Sequence, residues 1–223
     1  MLRPRAAWQS MTTLPISAYV LAGGRSSRMG TDKALLQLAN KPLIAHAVTK
    51  LRRITPNVQI LSSNPALAEY APLVPDLHPN TGPIGGIEAA LAHSTTDWNL
   101  ILPVDVPFLP GIFIDAWLRS TLADEHSVRI ALFTIDGVPQ PTILLIHREV
   151  APYISQAIER GDYKLFPVLE AAGRDLTTRS VLNPKLVFRN GSPGAGFPSR
   201  WFANLNTPED FAEAEANIAA LDN

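Results

Sequence analysis

From Ile16 onward the chain alternates between short apolar runs and longer stretches of helical periodicity. That alternation restricts it to few architectures. ISAYVLAG (Ile16–Gly23), VQILSS (Val58–Ser63), PLVPD (ending at Asp76) and WNLILPV (Trp98–Val104) read as strands. A helix opens at Pro42, with apolar residues at Leu43, Ala47, Val48, Leu51 and Ile54. A short helix is expected at PALAEY, a longer one through IEAALAHS and another after Pro110. SVRIALFT and PTILLIH are two further strands, expected to be adjacent in a less regular part of the sheet. REVAPYISQAIERG and KLFPVLEAAG read as helical, KLVF and WFANL as extended. TPEDFAEAEANIAAL closes the chain as a helix, with Thr207 as N-cap, Pro208 in the first turn and Asp210 placed for a capping box. Strands alternating with helices imply βαβ units, hence an α/β fold of three layers around a mostly parallel, mixed central sheet. Such sheets bind ligands beyond the carboxyl ends of their strands.

With 223 residues, 46% of them hydrophobic, the chain can bury a sizeable core. We expect a flexible tail over residues 1–15 and a single domain over 16–223. Charged residues make up only 17% and the formal net charge is −1, so no whole-chain basic field attracts nucleic acid. There is no cysteine, which rules out disulfides, iron–sulfur clusters and thiolate zinc sites. No apolar run approaches the roughly 18 residues of a membrane span. The opening MLRPRAAWQSMTTLP has arginines but no continuous apolar core of a signal peptide. A cytoplasmic protein with no membrane partner is expected.

Three features carry chemistry. LAGGRSSRMGTDK, Leu21 to Lys33, leaves the first strand at the ligand-binding edge. Gly23 and Gly24 allow a ligand close to backbone N–H groups, and Arg25, Arg28 and Lys33 offer charge to phosphate oxygens. The spacing is neither G-x-x-x-x-G-K-[ST] nor G-x-G-x-x-G, and composition alone leaves open an ordinary glycine turn followed by a solvated basic loop. Asp105 follows the strongest buried strand, where it could hold Mg²⁺ through one carboxylate plus substrate phosphates, or simply cap a turn. In NTGPIGGIEAAL, Gly82, Gly85 and Gly86 crowd a helix start, so backbone there can approach a flat ligand. The same loop also fits a plain helix entry.

Taken together, these stretches resemble a known family. LAGGRSSRMGTDKALLQLANKPLI is similar to the signature loop of nucleotidylyltransferases of the nucleotide-diphospho-sugar transferase fold, a Rossmann-like architecture. LPVDVPFL, TGPIGG, QPTILLIHRE and FANLNTPED extend the resemblance to the molybdenum cofactor guanylyltransferases, from about Tyr19 to Phe211. Two departures stand out. Residues Asn190 to Arg200 look longer than the family usually carries, and Asn40 stands where the family often has glycine.

The resemblance implies transfer of GMP from GTP to the terminal phosphate of molybdopterin, with or without molybdenum, and release of pyrophosphate. It implies that Leu21, Ala22, Gly23 and Gly24 line the guanine and ribose side, with Gly82 in the second glycine loop. Arg28 and Lys33 would contact the departing phosphates rather than serve packing. Asp76 would reach the base or ribose, Asp105 would hold Mg²⁺, and Ser62 and Asn64 stand where the family has nucleotide-binding polar residues. Asn204 and Asn206 alternate with Leu205, which puts them on one side of an extended segment, facing the site or making a turn. The small residues Gly23, Gly24, Gly85 and Gly86 suit a purine. Other cofactor-biosynthesis proteins and apo-molybdoenzymes are expected partners. Two alternatives stay open: another nucleotidylyltransferase of this fold with a cytidylyl or sugar-phosphate chemistry, and a non-catalytic nucleotide-binding protein.

Overall fold

A computed structural model describes residues 12–23, 32–123, 128–135, 137–179, 189–191 and 199–221. Its centre is a seven-stranded sheet. β1 (Ser17–Leu21) pairs in parallel with β4 (Val58–Leu61) on one side and with β6 (Trp98–Pro103) on the other. β5 (Leu73–Val74) extends the sheet beyond β4. On the far side, β8 (Val138–His147) runs antiparallel to β6 and to β7 (Ile130–Ile135), and β9 (Arg189–Gly191) runs parallel to β7. The order is β5-β4-β1-β6-β8-β7-β9, so β8 alone opposes the other strands. The irregularity expected in the β7–β8 pair is a register shift between Leu132 and Phe133.

Both faces of the sheet are buried, which is why the strands read as unbroken apolar runs. Along β1, Ala18 and Val20 join one core while Tyr19 joins the other. Along β6, Leu100 and Leu102 go to the first and Ile101 to the second. The first core is closed by α1 (Leu43–Arg52), through Leu43, Ile44 and Leu51, and by α3 (Gly111–Leu122), through Ile114 and Leu118. The second is closed by α2 (Pro83–His93), α4 (Ala151–Glu159) and α5 (Leu165–Arg179), through residues such as Ile87, Ile154 and Leu169. This is the expected three-layer α/β arrangement with a mostly parallel, mixed sheet. α6 (Pro208–Ala216) starts with the expected capping box of Thr207 and Asp210 and gives way to a 3₁₀ turn, Ile218–Ala220, where the helix was expected to continue.

Several boundaries differ from expectation. Leu14 is buried and its N–H donates to the Ile54 carbonyl, so the chain is tied down before Ile16. The strand at PLVPD ends at Val74, two residues short of Asp76. KLVF lies outside the described residues, and Arg189–Gly191 forms the edge strand. WFANL is not a strand: Ser199–Phe202 is a 3₁₀ turn followed by irregular chain. The reason is packing. Trp201 and Phe202 both reach Phe113, and Phe202 also reaches Phe133, whereas consecutive strand residues would point to opposite faces. A two-stranded hairpin, β2 (Gln37–Leu38) with β3 (Lys41–Pro42), was not anticipated. Its turn residues Ala39 and Asn40 have φ of 51° and 60°, the left-handed region where glycine or asparagine fits best. That explains why asparagine can stand at position 40 in place of glycine.

Among the described residues, no helix is long and apolar enough to cross a membrane.

Candidate active site

β1 is where the strand order reverses: the chain builds outward to β4 and β5, then returns to place β6 on the other flank. A crevice opens at such a point, beyond the carboxyl ends of the strands. Leu21 pairs with Pro103 at the end of the two strands, and the Val104 N–H donates to the Leu21 carbonyl at 3.1 Å. Ala22, Gly23 and Asp105 therefore leave the sheet side by side. Gly24, Arg25 and Arg28 lie outside the described residues.

Lys33 re-enters at the start of a 3₁₀ turn, Lys33–Leu35, whose N-cap is Asp32. Its Nζ donates to Asp105 Oδ2 and to Asn206 Oδ1, both at 2.6 Å. Three segments far apart in sequence thus meet at one ammonium. Asp105 is bound to the carboxyl-terminal segment a second time, because its carbonyl accepts from the Leu205 N–H at 3.1 Å. Leu205 is buried while Asn204 and Asn206 are exposed, as the alternation implied. Of these two asparagines, Asn206 reaches the charged cluster. Asp210 fixes its backbone: Oδ2 accepts from the N–H groups of Asn206 and Thr207 at 2.7 and 2.8 Å. Those two bonds, Asn206 first, hold the Asp210 carboxyl below its ordinary pKa.

On the other flank of β1, Ser62 and Asn64 are engaged within the protein. Asn64 N–H donates to Ser62 Oγ, and Asn64 Oδ1 accepts from Ala66 N–H as an N-cap. Asn64 Nδ2 donates to Asp32 Oδ2 at 2.6 Å. Asn64 therefore anchors the exit of the first glycine loop through Asp32, a residue that the motif reading overlooked. The local pattern Asp-Lys-Ala-Leu, with aspartate as a cap, was its only signal.

The second glycine loop closes the opposite wall. Gly82 has φ of 75° and precedes α2, and Gly85 and Gly86 fall in the first turn of that helix. A Cβ at either would force a neighbour to move. One at Gly86 would lie 2.8 Å from Leu21 Cδ1 and 3.7 Å from Asp76 Oδ1. One at Gly85 would lie 2.1 Å from Thr81 Oγ1 and 3.1 Å from the His78 carbonyl. The missing side chain at Gly85 makes room for the loop itself, not for a ligand. Asp76 is half-buried beside Gly86 and has no hydrogen-bond partner among the described residues. Burial raises its carboxyl above the usual range. A desolvated acceptor of this kind can be satisfied by donors on a ligand.

The donor set for a cation is sparse. Among the described residues, no three His, Asp or Glu side chains cluster as a metal cage. Asp105, about one-fifth exposed, offers its second oxygen beside Lys33. A single carboxylate suits a hard cation that takes its remaining ligands from phosphates and water.

Comparison with known proteins agrees with this geometry. Residues 18–176 match the family model described as the MobA-like NTP transferase domain. Molybdenum cofactor guanylyltransferase from Serratia proteamaculans is 35% identical over 204 residues, covering 87% of this chain and 91% of the relative. The enzyme of that name from Rhizobium johnstonii is 33% identical, covering 92% and 94%. Among solved structures, molybdopterin-guanine dinucleotide biosynthesis protein A from Archaeoglobus fulgidus superposes with a TM-score of 0.67 at 22% identity, covering 92% of this chain and all of that one. A CMP:2-keto-3-deoxy-manno-octonic acid synthetase, solved with CTP, superposes at 0.64 with 13% identity, covering 92% and 98%. The fold is therefore common to enzymes with different nucleotides, whereas the sequence matches single out one group. The chain belongs to the MobA-like NTP transferases and, within them, to the molybdenum cofactor guanylyltransferases.

Proposed function

We propose that this protein transfers GMP from GTP to the terminal phosphate of molybdopterin, in the metal-free or molybdenum-bearing form. The observation that carries the reading is the meeting of Lys33, Asp105 and Asn206 at the carboxyl end of β1 and β6, where Leu21 of β1 also lies against Gly86 with Asp76 beside it. An acceptor phosphate oxygen attacks the α-phosphorus of GTP, the α–β anhydride bond breaks, and pyrophosphate leaves with the electron pair. The acceptor oxygen is already ionised near neutral pH, so the step requires no general base.

Catalysis is then positioning plus charge stabilisation. Lys33 supplies a cation to the β- and γ-phosphates, together with Arg28 from the loop. Asn206 and Asp105 hold the Lys33 ammonium at the crevice. Leu21, Ala22, Gly23, Gly24 and Gly82 form the backbone walls against base and ribose. Asp76 accepts hydrogen bonds from donors on the base or ribose, and Ser62 and Asn64 support the wall between β1 and β4. Asp105 would hold Mg²⁺, which when bound neutralises phosphate charge. The reading places the reaction in the cytoplasm, where nucleoside triphosphates and Mg²⁺ are available, and passes the product to other cofactor-biosynthesis proteins or apo-molybdoenzymes.

The test is pyrophosphate release with each of the four NTPs, with and without molybdopterin, at varied Mg²⁺. Turnover is expected only with GTP, acceptor and Mg²⁺ together. A preference for CTP, or turnover independent of the pterin, refutes the assignment.

A further inference from the structure

α2 carries an acid where its packing asks for an apolar residue. Glu88 is 5% exposed, in a helix whose neighbouring Ile84, Ile87 and Leu91 are buried in the core. A buried carboxylate is unfavourable unless partnered, and an apolar side chain of similar size often packs there at no loss of stability. Its partner is His78: Nδ1 lies 2.6 Å from Glu88 Oε2. The histidine side chain itself is more than half exposed. The pair joins α2 to residues 77–82, the loop that links Asp76 to the helix.

That loop has little else to fix it. Leu77, His78, Pro79 and Asn80 are exposed, and Asn80 and Gly82 have φ of 68° and 75°. Thr81 Oγ1 donates to the His78 carbonyl at 2.7 Å, which shapes the turn internally. Among the described residues, a side-chain hydrogen bond from His78 to Glu88 ties residues 77–80 to another element. Asp76 stands two residues upstream of that tie, and its carboxylate shares one spot with Gly86 and Leu21.

We infer that Glu88, acting through His78, is a positioning residue that fixes the Asp76 wall and so sets nucleotide affinity and base discrimination. The inference rests on the reading of this crevice as a GTP site. Glu88 touches no reacting atom. It holds the loop that follows Asp76, the residue that meets the nucleotide.

The test compares Glu88→Leu, Glu88→Gln and His78→Ala by pyrophosphate release, with KM and kcat measured separately for GTP and ATP, and thermal midpoints recorded alongside. Glu88→Leu is expected to raise the KM for GTP about tenfold, in the range by which lost support of a contact group weakens a site. It should leave kcat within about twofold and lower the GTP-to-ATP ratio of kcat/KM. Glu88→Gln keeps an acceptor for the Nδ1 proton and should restore most of both. His78→Ala, at an exposed position outside the helix, should reproduce the KM change and serves if Glu88→Leu does not fold. Unchanged KM and ratio in both Glu88→Leu and His78→Ala, whatever the thermal midpoint, overturn the inference. Wild-type protein that does not prefer GTP overturns the functional reading and this one with it, before any variant is made.

Discussion

Replacing Gly85 by alanine sets two effects of opposite sign against each other. Gly85 is the third residue of α2, and its φ is not in the left-handed region. Helix propensity by itself predicts a gain of up to about 1 kcal/mol for the alanine. The new Cβ, however, would lie 2.1 Å from Thr81 Oγ1 and 3.1 Å from the His78 carbonyl oxygen. Thr81 must rotate away and give up its bond to that carbonyl, a loss of about 1 kcal/mol. The backbone contact cannot be relieved by rotation, and crowding of this kind costs about 1–3 kcal/mol. The net expectation is a loss of about 1–3 kcal/mol. In a Thr81→Ala background neither the closest contact nor the hydrogen bond remains to be lost, but the crowding against the His78 carbonyl does, so Gly85→Ala should there cost only about 0–2 kcal/mol. Urea unfolding of the four proteins in the cycle measures the difference, expected at about 1 kcal/mol of coupling. If Gly85→Ala stabilises the otherwise unchanged protein, or shows no coupling to Thr81, the loop is not pressed against the helix as described.

Lys33→Ala removes an ammonium that holds two partners at 2.6 Å. It should cost about 1.5–3 kcal/mol, the range for hydrogen bonds to charged groups, besides slowing turnover, and denaturant unfolding beside activity per folded molecule separates the two. Asp105→Asn should keep the fold but slow turnover on the order of 10²–10³-fold, checked by pyrophosphate release at saturating Mg²⁺. Burial raises the folded-state pKa of Asp76, so its contribution is fully present below the unfolded-state value and is lost as pH rises through the folded-state one. Asp76→Asn should therefore be the more stable protein at neutral pH, with the advantage gone near pH 3, below the ordinary carboxylate range; thermal midpoints across pH read the crossover. Ala39→Asn with Asn40→Gly puts the favoured hairpin pair at two left-handed positions and should stabilise by about 1 kcal/mol, as measured by unfolding.

What could be read from the chain follows the range of the forces involved. β1 and β6 were legible because strands buried on both faces need apolar residues at every position, a local pattern. The Thr207–Asp210 capping box lies within four residues and was equally plain. The meeting of Lys33 with Asp105 was not, since 72 positions separate them and no local periodicity links the two. The motif reading gave Lys33 to phosphates alone, whereas it also joins three segments of the fold. Trp201 and Phe202 looked like strand residues by composition, but the aromatic cluster around Phe113 turned the chain there. Gly85 was read as space for a base and proves to be space for the loop's own backbone. Glu88 and His78 carried no motif, because neither belongs to a pattern shorter than the loop between them.

Asn206 bonds to Lys33 across 173 positions, and Leu205 bonds to Asp105. The matched domain ends at residue 176. A chain grown that far already carries Asp76, Asp105 and both glycine loops, yet lacks the strip that steadies the ammonium. Translation at about 5–20 residues per second puts Asn206 roughly 1.5–6 s behind residue 176. In that interval the inner strands can pair while the crevice stands open on one side. The crevice proposed to take the nucleotide is thus completed only when the carboxyl-terminal segment arrives.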